Sequence, residues 1–125
     1  MARFLLVFRP RSPLPPQELI ERLEPLIDRF CADVDHRSPA HLSAFVRGEH
    51  ETLRLQLIAD VQAKADGPVL ELVLMSREAM GTGAPLTKGL FEGLVAIAAQ
   101  VMPDLDLVFR SDRDGALPDR NGKHN

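Results

Sequence analysis

Tryptophan and tyrosine are absent, and six phenylalanines are the only aromatic residues among 125. That removes the usual anchors of protein interfaces and most platforms for stacking bases. Cysteine occurs once, at Cys31, so neither an intramolecular disulfide framework nor a zinc-finger ligand set can be assembled. A cytoplasmic location is the resulting expectation. Long apolar runs are missing as well: Phe4-Leu5-Leu6-Val7-Phe8 is too short for a signal peptide or a membrane span. Excess charge is also lacking, because 18 acidic and 15 basic side chains leave a formal charge of -3. A general polyanion binder would need far more basic charge.

What is present is the composition of one soluble globular domain, 45% hydrophobic and 26% charged. Arg3 to Arg9 reads as a buried strand, stopped by Pro10. Prolines 13, 15 and 16 make a stiff connector, and Pro16 suits the first position of a helix. The spacing of Leu19, Ile20, Leu23, Leu26, Ile27, Phe30 and Cys31 predicts that helix, kinked at the wet-side Pro25 and ending near Ala32. Asp33 to His41 reads as irregular. Leu42 to Arg47 and the alternating Thr52 to Ile58 are predicted strands around a polar hairpin at Gly48 to Glu51. Asp66-Gly67 can reverse the chain into a further strand, Val69 to Met75. A second helix over Leu86 to Met102 and a short strand over Leu105 to Phe109 complete the order.

The order β-α-β-β-β-α-β predicts an α+β, two-layer sandwich: a mixed five-stranded sheet with two helices on one face. Residues 1–109 form the expected domain, and 110–125 a polar, flexible C-terminal tail. With the leucines of the strands turned to the helices, parity sends Arg3, Leu5, Val7 and Arg9 to the other face. Ser43, Phe45, Arg47, Arg54, Gln56, Glu71, Val73, Met75, Asp106 and Val108 join them. Such a face is normally polar, yet this one is half apolar and rich in arginine. Exposed patches of that composition mark association surfaces, with Phe45 as anchor, Val73 and Met75 beside it, and Arg47 and Arg54 as directional contacts. One phenylalanine and no basic run make nucleic acid an unlikely occupant.

Three further features compete for a role. Glu21, Glu24 and Asp28 form an acidic stripe on the first helix, suited to a basic partner as in an acidic inhibitor. Gly89, Gly93, Ala96 and Gln100 form a narrow stripe on the second helix, predicted to pack closely against another helix. The long Ser76 to Thr87 loop, with Arg77, Thr82, Gly83 and then Lys88, offers amides and cations to an anion at a helix N-terminus. Its spacing matches no nucleotide-binding motif.

Cys31, Asp33, Asp35, His36 and His41 lie close in sequence but match no zinc spacing, and Cys31 is expected to be a buried hydrophobe. Asp35-His36 near Ser38 or Ser43 is not a triad pattern. The reading is therefore a non-enzymatic module, without catalytic residues, metal or cofactor. It binds another protein or a second copy of itself stoichiometrically, as an inhibitor, immunity-like protein or scaffold. The alternative is a small anion- or phosphate-binding enzyme built on the 76–88 loop, with His36 nearby.

Overall fold

The structure, a computed structural model, describes residues 2–46 and 54–112. Arg47, the hairpin at 48–51, Thr52, Leu53 and the tail beyond 112 lie outside the described residues. The chain is α+β, as expected, but its sheet has six strands and every ladder is antiparallel. In chain order these are β1 (Ala2–Pro10), β2 (Ala32–Ser38), β3 (His41–Val46), β4 (Leu55–Gln62), β5 (Val69–Ser76) and β6 (Leu105–Arg110). Across the sheet they run β2-β3-β4-β5-β1-β6.

β2 is the strand that the sequence hides. Only Ala32 of its seven residues is buried, and Val34 is 41% exposed. An edge strand held by one neighbour needs no alternating apolar side chains, so Asp33, Asp35 and Ser38 read as turn residues while their backbones pair with β3. Ladder hydrogen bonds, not side-chain burial, make this a strand.

The predicted first helix is two short ones, α1 (Pro16–Glu21) and α2 (Glu24–Arg29). Pro25 carries no N–H for the carbonyl one turn earlier, and its fixed φ suits a helix start, so the chain breaks at Arg22 and Leu23 and begins again. Cys31 then takes φ 55°, a left-handed reversal, and is exposed instead of buried. This reversal turns the chain from α2 directly into β2.

The core lies between the sheet and the helices. Phe4, Leu6 and Phe8 of β1, Leu42 and Ala44 of β3, Leu55, Leu57 and Ala59 of β4, and Leu70, Leu72 and Leu74 of β5 all point inward. They meet Leu19, Leu23, Leu26 and Ile27 from the broken helix. The long helix α3 (Pro85–Val101) packs on β5 and β1, α1 on β4, and α2 on β2 and α3. The rings of Phe4 and Phe91 stack with centroids 5.0 Å apart, tying α3 to the middle of the sheet.

The buried stripe of α3 is Thr87, Phe91, Leu94 and Ala98, continued by Met102. Helical spacing alone marks out a stripe of Leu86, Leu90, Leu94, Ile97 and Val101, and the buried stripe is rotated from it: Leu90, Ile97 and Val101 are only partly buried, and Leu86 is 45% exposed. Leu86 sits in the first turn of α3. A Cβ built at Gly89 or Gly93 meets nothing within 4 Å, so the small-residue stripe is not a close helix-packing surface. Of its members only Gln100 reaches a neighbour, accepting a hydrogen bond from Arg29 of α2 at 3.0 Å.

β6 departs from simple alternation. A bulge against Val7 and Phe8 lets Leu107 pair with Phe8, Phe109 with Val7 and Arg110 with Leu6. Phe109, expected on the helix side, therefore lies on the opposite face, 40% exposed, while Arg110 is buried on the helix side. Arg110 donates to Glu92 of α3 at 2.9 Å and to Asp112 at 2.7 Å. Ser111 extends the pairing: its hydroxyl accepts the Leu5 N–H at 2.7 Å, and its own N–H donates to the Leu5 carbonyl at 2.9 Å. The pairing with β1 thus continues past Arg110 through Ser111. No described helix is long and apolar enough to cross a membrane.

Candidate functional site

The face of the sheet away from the helices is set by the same ladders that build the core. Reading across from β3 to β1, one row is Phe45, Gln56, Met75 and Arg3; the next is Ser43, Ile58, Val73 and Leu5. A third row holds His41, Asp60, Glu71 and Val7, with Phe109 beyond on β6. Leu5, Val7, Phe45, Ile58, Val73 and Met75 are all half-buried, screened by neighbours in the same surface. The apolar centre is continuous, and its charges are confined to the two ends of the strands.

Parity brings Phe45, Arg54, Val73 and Met75 to this face as the alternation predicts. Phe45, Arg54 and Met75 line one hollow of about 240 Å³ together with Gln56, Ser76 and Arg77. The Arg54 guanidinium carbon lies 5.1 Å from the centre of the Phe45 ring, a cation–π contact that also orients the fork. Arg77 was grouped in the sequence with the 76–88 loop, but the fold sets it here.

Apart from Arg29, which bonds to Gln100, the described arginines divide into two classes. Arg9 pairs with Asp66, Arg11 with Asp106 and Arg22 with Asp104, each at 2.9 Å. Arg37 pairs with Glu24, and Arg110 with Glu92 and Asp112. Arg3, Arg54 and Arg77 have no carboxylate partner among the described residues, and all three stand at the same end of the open face. At the other end the acids cluster: Asp60 and Glu71 are direct cross-strand neighbours, with the His41 ring nitrogen 2.6 Å from Asp60.

No known protein family matches this chain, and no curated protein matches it in sequence.

The 76–88 loop already holds an anion of its own. Glu78 accepts the N–H of Leu86 at 3.0 Å, the N–H of Thr87 at 2.7 Å and the Thr87 hydroxyl at 2.7 Å. Ser76 completes the cluster, 2.7 Å from the Thr87 hydroxyl and accepting the Glu78 N–H at 3.1 Å. The helix N-terminal amides expected to cradle an external phosphate are thus occupied by this carboxylate. Arg77, Gly83 and Lys88 are exposed around the loop, and only Arg77 joins a hollow with other candidate residues. The backbone of Thr82 belongs to a 3-10 turn over Met80–Thr82.

The acidic stripe is divided by the helix break. Glu21 ends α1 and accepts from Gln17 at 3.5 Å, while Glu24 opens α2 and pairs with Arg37 of β2. Asp28 is exposed near the end of α2. Of the would-be metal ligands, Asp35 accepts a hydrogen bond from Ser43 at 2.6 Å, and the rings of His36 and His41 lie 5.6 Å apart. Among the described residues no group of three or more His, Cys, Asp or Glu is placed to hold a metal ion. His41 and Asp60 form the base-and-orienter half of a triad, but the Ser43 hydroxyl is directed to Asp35.

Several members of the face escape the sequence reading, His41 and Asp60 among them. Ile58 lies two residues past Gln56 and could have been assigned by extending its parity. Phe109 could not, because nothing in Leu105 to Arg110 announces the bulge that turns it over.

Proposed function

We propose that this chain is a non-enzymatic protein-binding module that acts stoichiometrically through the open face of its sheet, on a partner offering an apolar patch edged with carboxylates. The carrying observation is the apolar centre formed by Leu5, Val7, Ile58, Val73 and Phe109, bounded by arginines without acid partners. Apolar area supplies the drive for association, and a guanidinium oriented on an aromatic ring supplies direction by gripping a carboxylate in bidentate fashion. The acidic stripe supports binding less well, since Glu24 already has Arg37. The enzyme alternative has less support because Glu78 takes the loop amides.

The test is footprinting with hydroxyl radicals on the tagged chain, free and with the partner it retains, alongside Val73→Lys and Phe45→Ala chains checked for folding by circular dichroism. Binding should protect Phe45, Met75 and Phe109, and each substitution should weaken it by about 5- to 150-fold. Protection confined to the helices, or undiminished binding by folded Val73→Lys, would overturn the proposal.

A further inference from the structure

We infer that the partner chemistry of the open face is met by a second copy of this chain, docked face to face with its strands reversed. The inference rests on the open-face reading and names the occupant. On β4 and β5 the outward pairs run Gln56 with Met75, Ile58 with Val73, then Asp60 with Glu71. Arg54 precedes β4 and Arg77 follows β5, bordering one hollow. The same two strands therefore carry a basic pair at one end and an acidic pair at the other, with neutral side chains between.

Like charges set opposite each other on adjacent strands repel. In one copy Asp60 has His41, but Glu71, Arg54 and Arg77 have no ion pair among the described residues. A two-fold axis in the interface, running across the strands midway between the Gln56–Met75 and Ile58–Val73 rows, reverses each strand over its own counterpart. Arg77 then stands over the second copy's Glu71 and Arg54 over its Asp60, while Met75 covers Val73. Symmetry makes each contact twice.

Stacked sheets sit about 10 Å apart with a modest relative twist, a gap that the long arginine side chain spans. The area is sufficient. Six strands at about 4.8 Å spacing and seven residues at about 3.4 Å give a face of roughly 700 Å². A standard interface takes about 600 to 1,000 Å² from each partner.

The experiment is a charge exchange read by sedimentation velocity. Arg54→Glu with Arg77→Glu makes one chain, Asp60→Arg with Glu71→Arg the other, and each is checked for wild-type folding by circular dichroism. The wild type should be a dimer. Each exchanged chain alone should self-associate about 100-fold more weakly or worse, because like charges now meet across the interface. An equal mixture should recover a heterodimer, since all four pairs are then oppositely charged, two as in the wild type and two with inverted sign. If either chain misfolds, Arg77→Glu and Glu71→Arg alone repeat the exchange on β5, where neither wild-type side chain makes an ion pair among the described residues.

Dimers indifferent to the exchanges, or a mixture that stays monomeric, would overturn the inference. A monomeric wild type would overturn it too, while leaving the open-face reading to its footprinting test. A dimer unaffected by Val73→Lys as well would overturn both.

Discussion

The carboxylate of Glu78 accepts both the backbone N–H and the hydroxyl of Thr87 at 2.7 Å, so the first turn of α3 is capped from nine residues upstream. Ala84 stands at the usual capping position in a left-handed conformation and has no side chain able to cap. Glu78→Gln should therefore destabilise the fold by about 1 to 2 kcal/mol, with part of the loss due to charge at the helix dipole. Urea unfolding would measure it. An unchanged midpoint would show that the cap contributes nothing.

Arg110 is the buried cation among the described residues, its guanidinium lying 5.7 Å from the centre of the Phe91 ring. Hydrogen bonding to Asp112 is the main reason its pKa lies above the ordinary arginine value, with Glu92 adding to it against the cost of burial. Arg110→Met should cost about 3 kcal/mol, because the enclosed Asp112 carboxylate and Glu92 would both lose the Arg110 guanidinium. Adding Asp112→Asn should recover part of that loss. A double variant no more stable than the single one would count against an ion-pair explanation.

Acid should weaken the fold through two carboxylates on its surface. Arg22 holds Asp104 below the ordinary carboxylate pKa, and Arg9 does the same for Asp66. A group depressed in the folded state contributes stability above its unfolded pKa, and that contribution disappears as pH falls through the folded value. Melting temperature should thus decline from about pH 5 downward, and Asp104→Asn should make the decline shallower. An identical slope in the variant would exclude Asp104 as a contributor. Both pairs are solvent-exposed, so added salt should shrink the effect.

Gly89 and Gly93 lie inside α3 with open space where a Cβ would stand. Gly89→Ala and Gly93→Ala should each stabilise the fold by about 0.5 to 1 kcal/mol, by reducing the freedom of the unfolded chain. Thermal melts of the two variants decide it. A loss of stability would mean that the stripe is packed after all.

The α+β class, the inward leucines of β4 and β5, and the placement of Phe45, Arg54, Val73 and Met75 on one outer surface were legible in the residue order. Alternation is a local signal: a strand with one buried side writes its period of two into neighbouring residues. Reversal at Asp66-Gly67 was legible for a similar reason, since Gly67 takes φ 118° within its own turn.

Other features depended on segments distant in sequence. β2 exists because β3 supplies its ladder, and the β6 bulge is defined only against β1. Partner choice among charges is likewise a matter of which chains the fold brings side by side: Glu78 finds the start of α3, and Arg110 finds Glu92. The open face combines both kinds of information. Its apolar and charged positions follow from residue order, but on β4 and β5 the placing of the basic pair at one end and the acidic pair at the other arises from strand register, because only pairing across these two strands sets Asp60 beside Glu71.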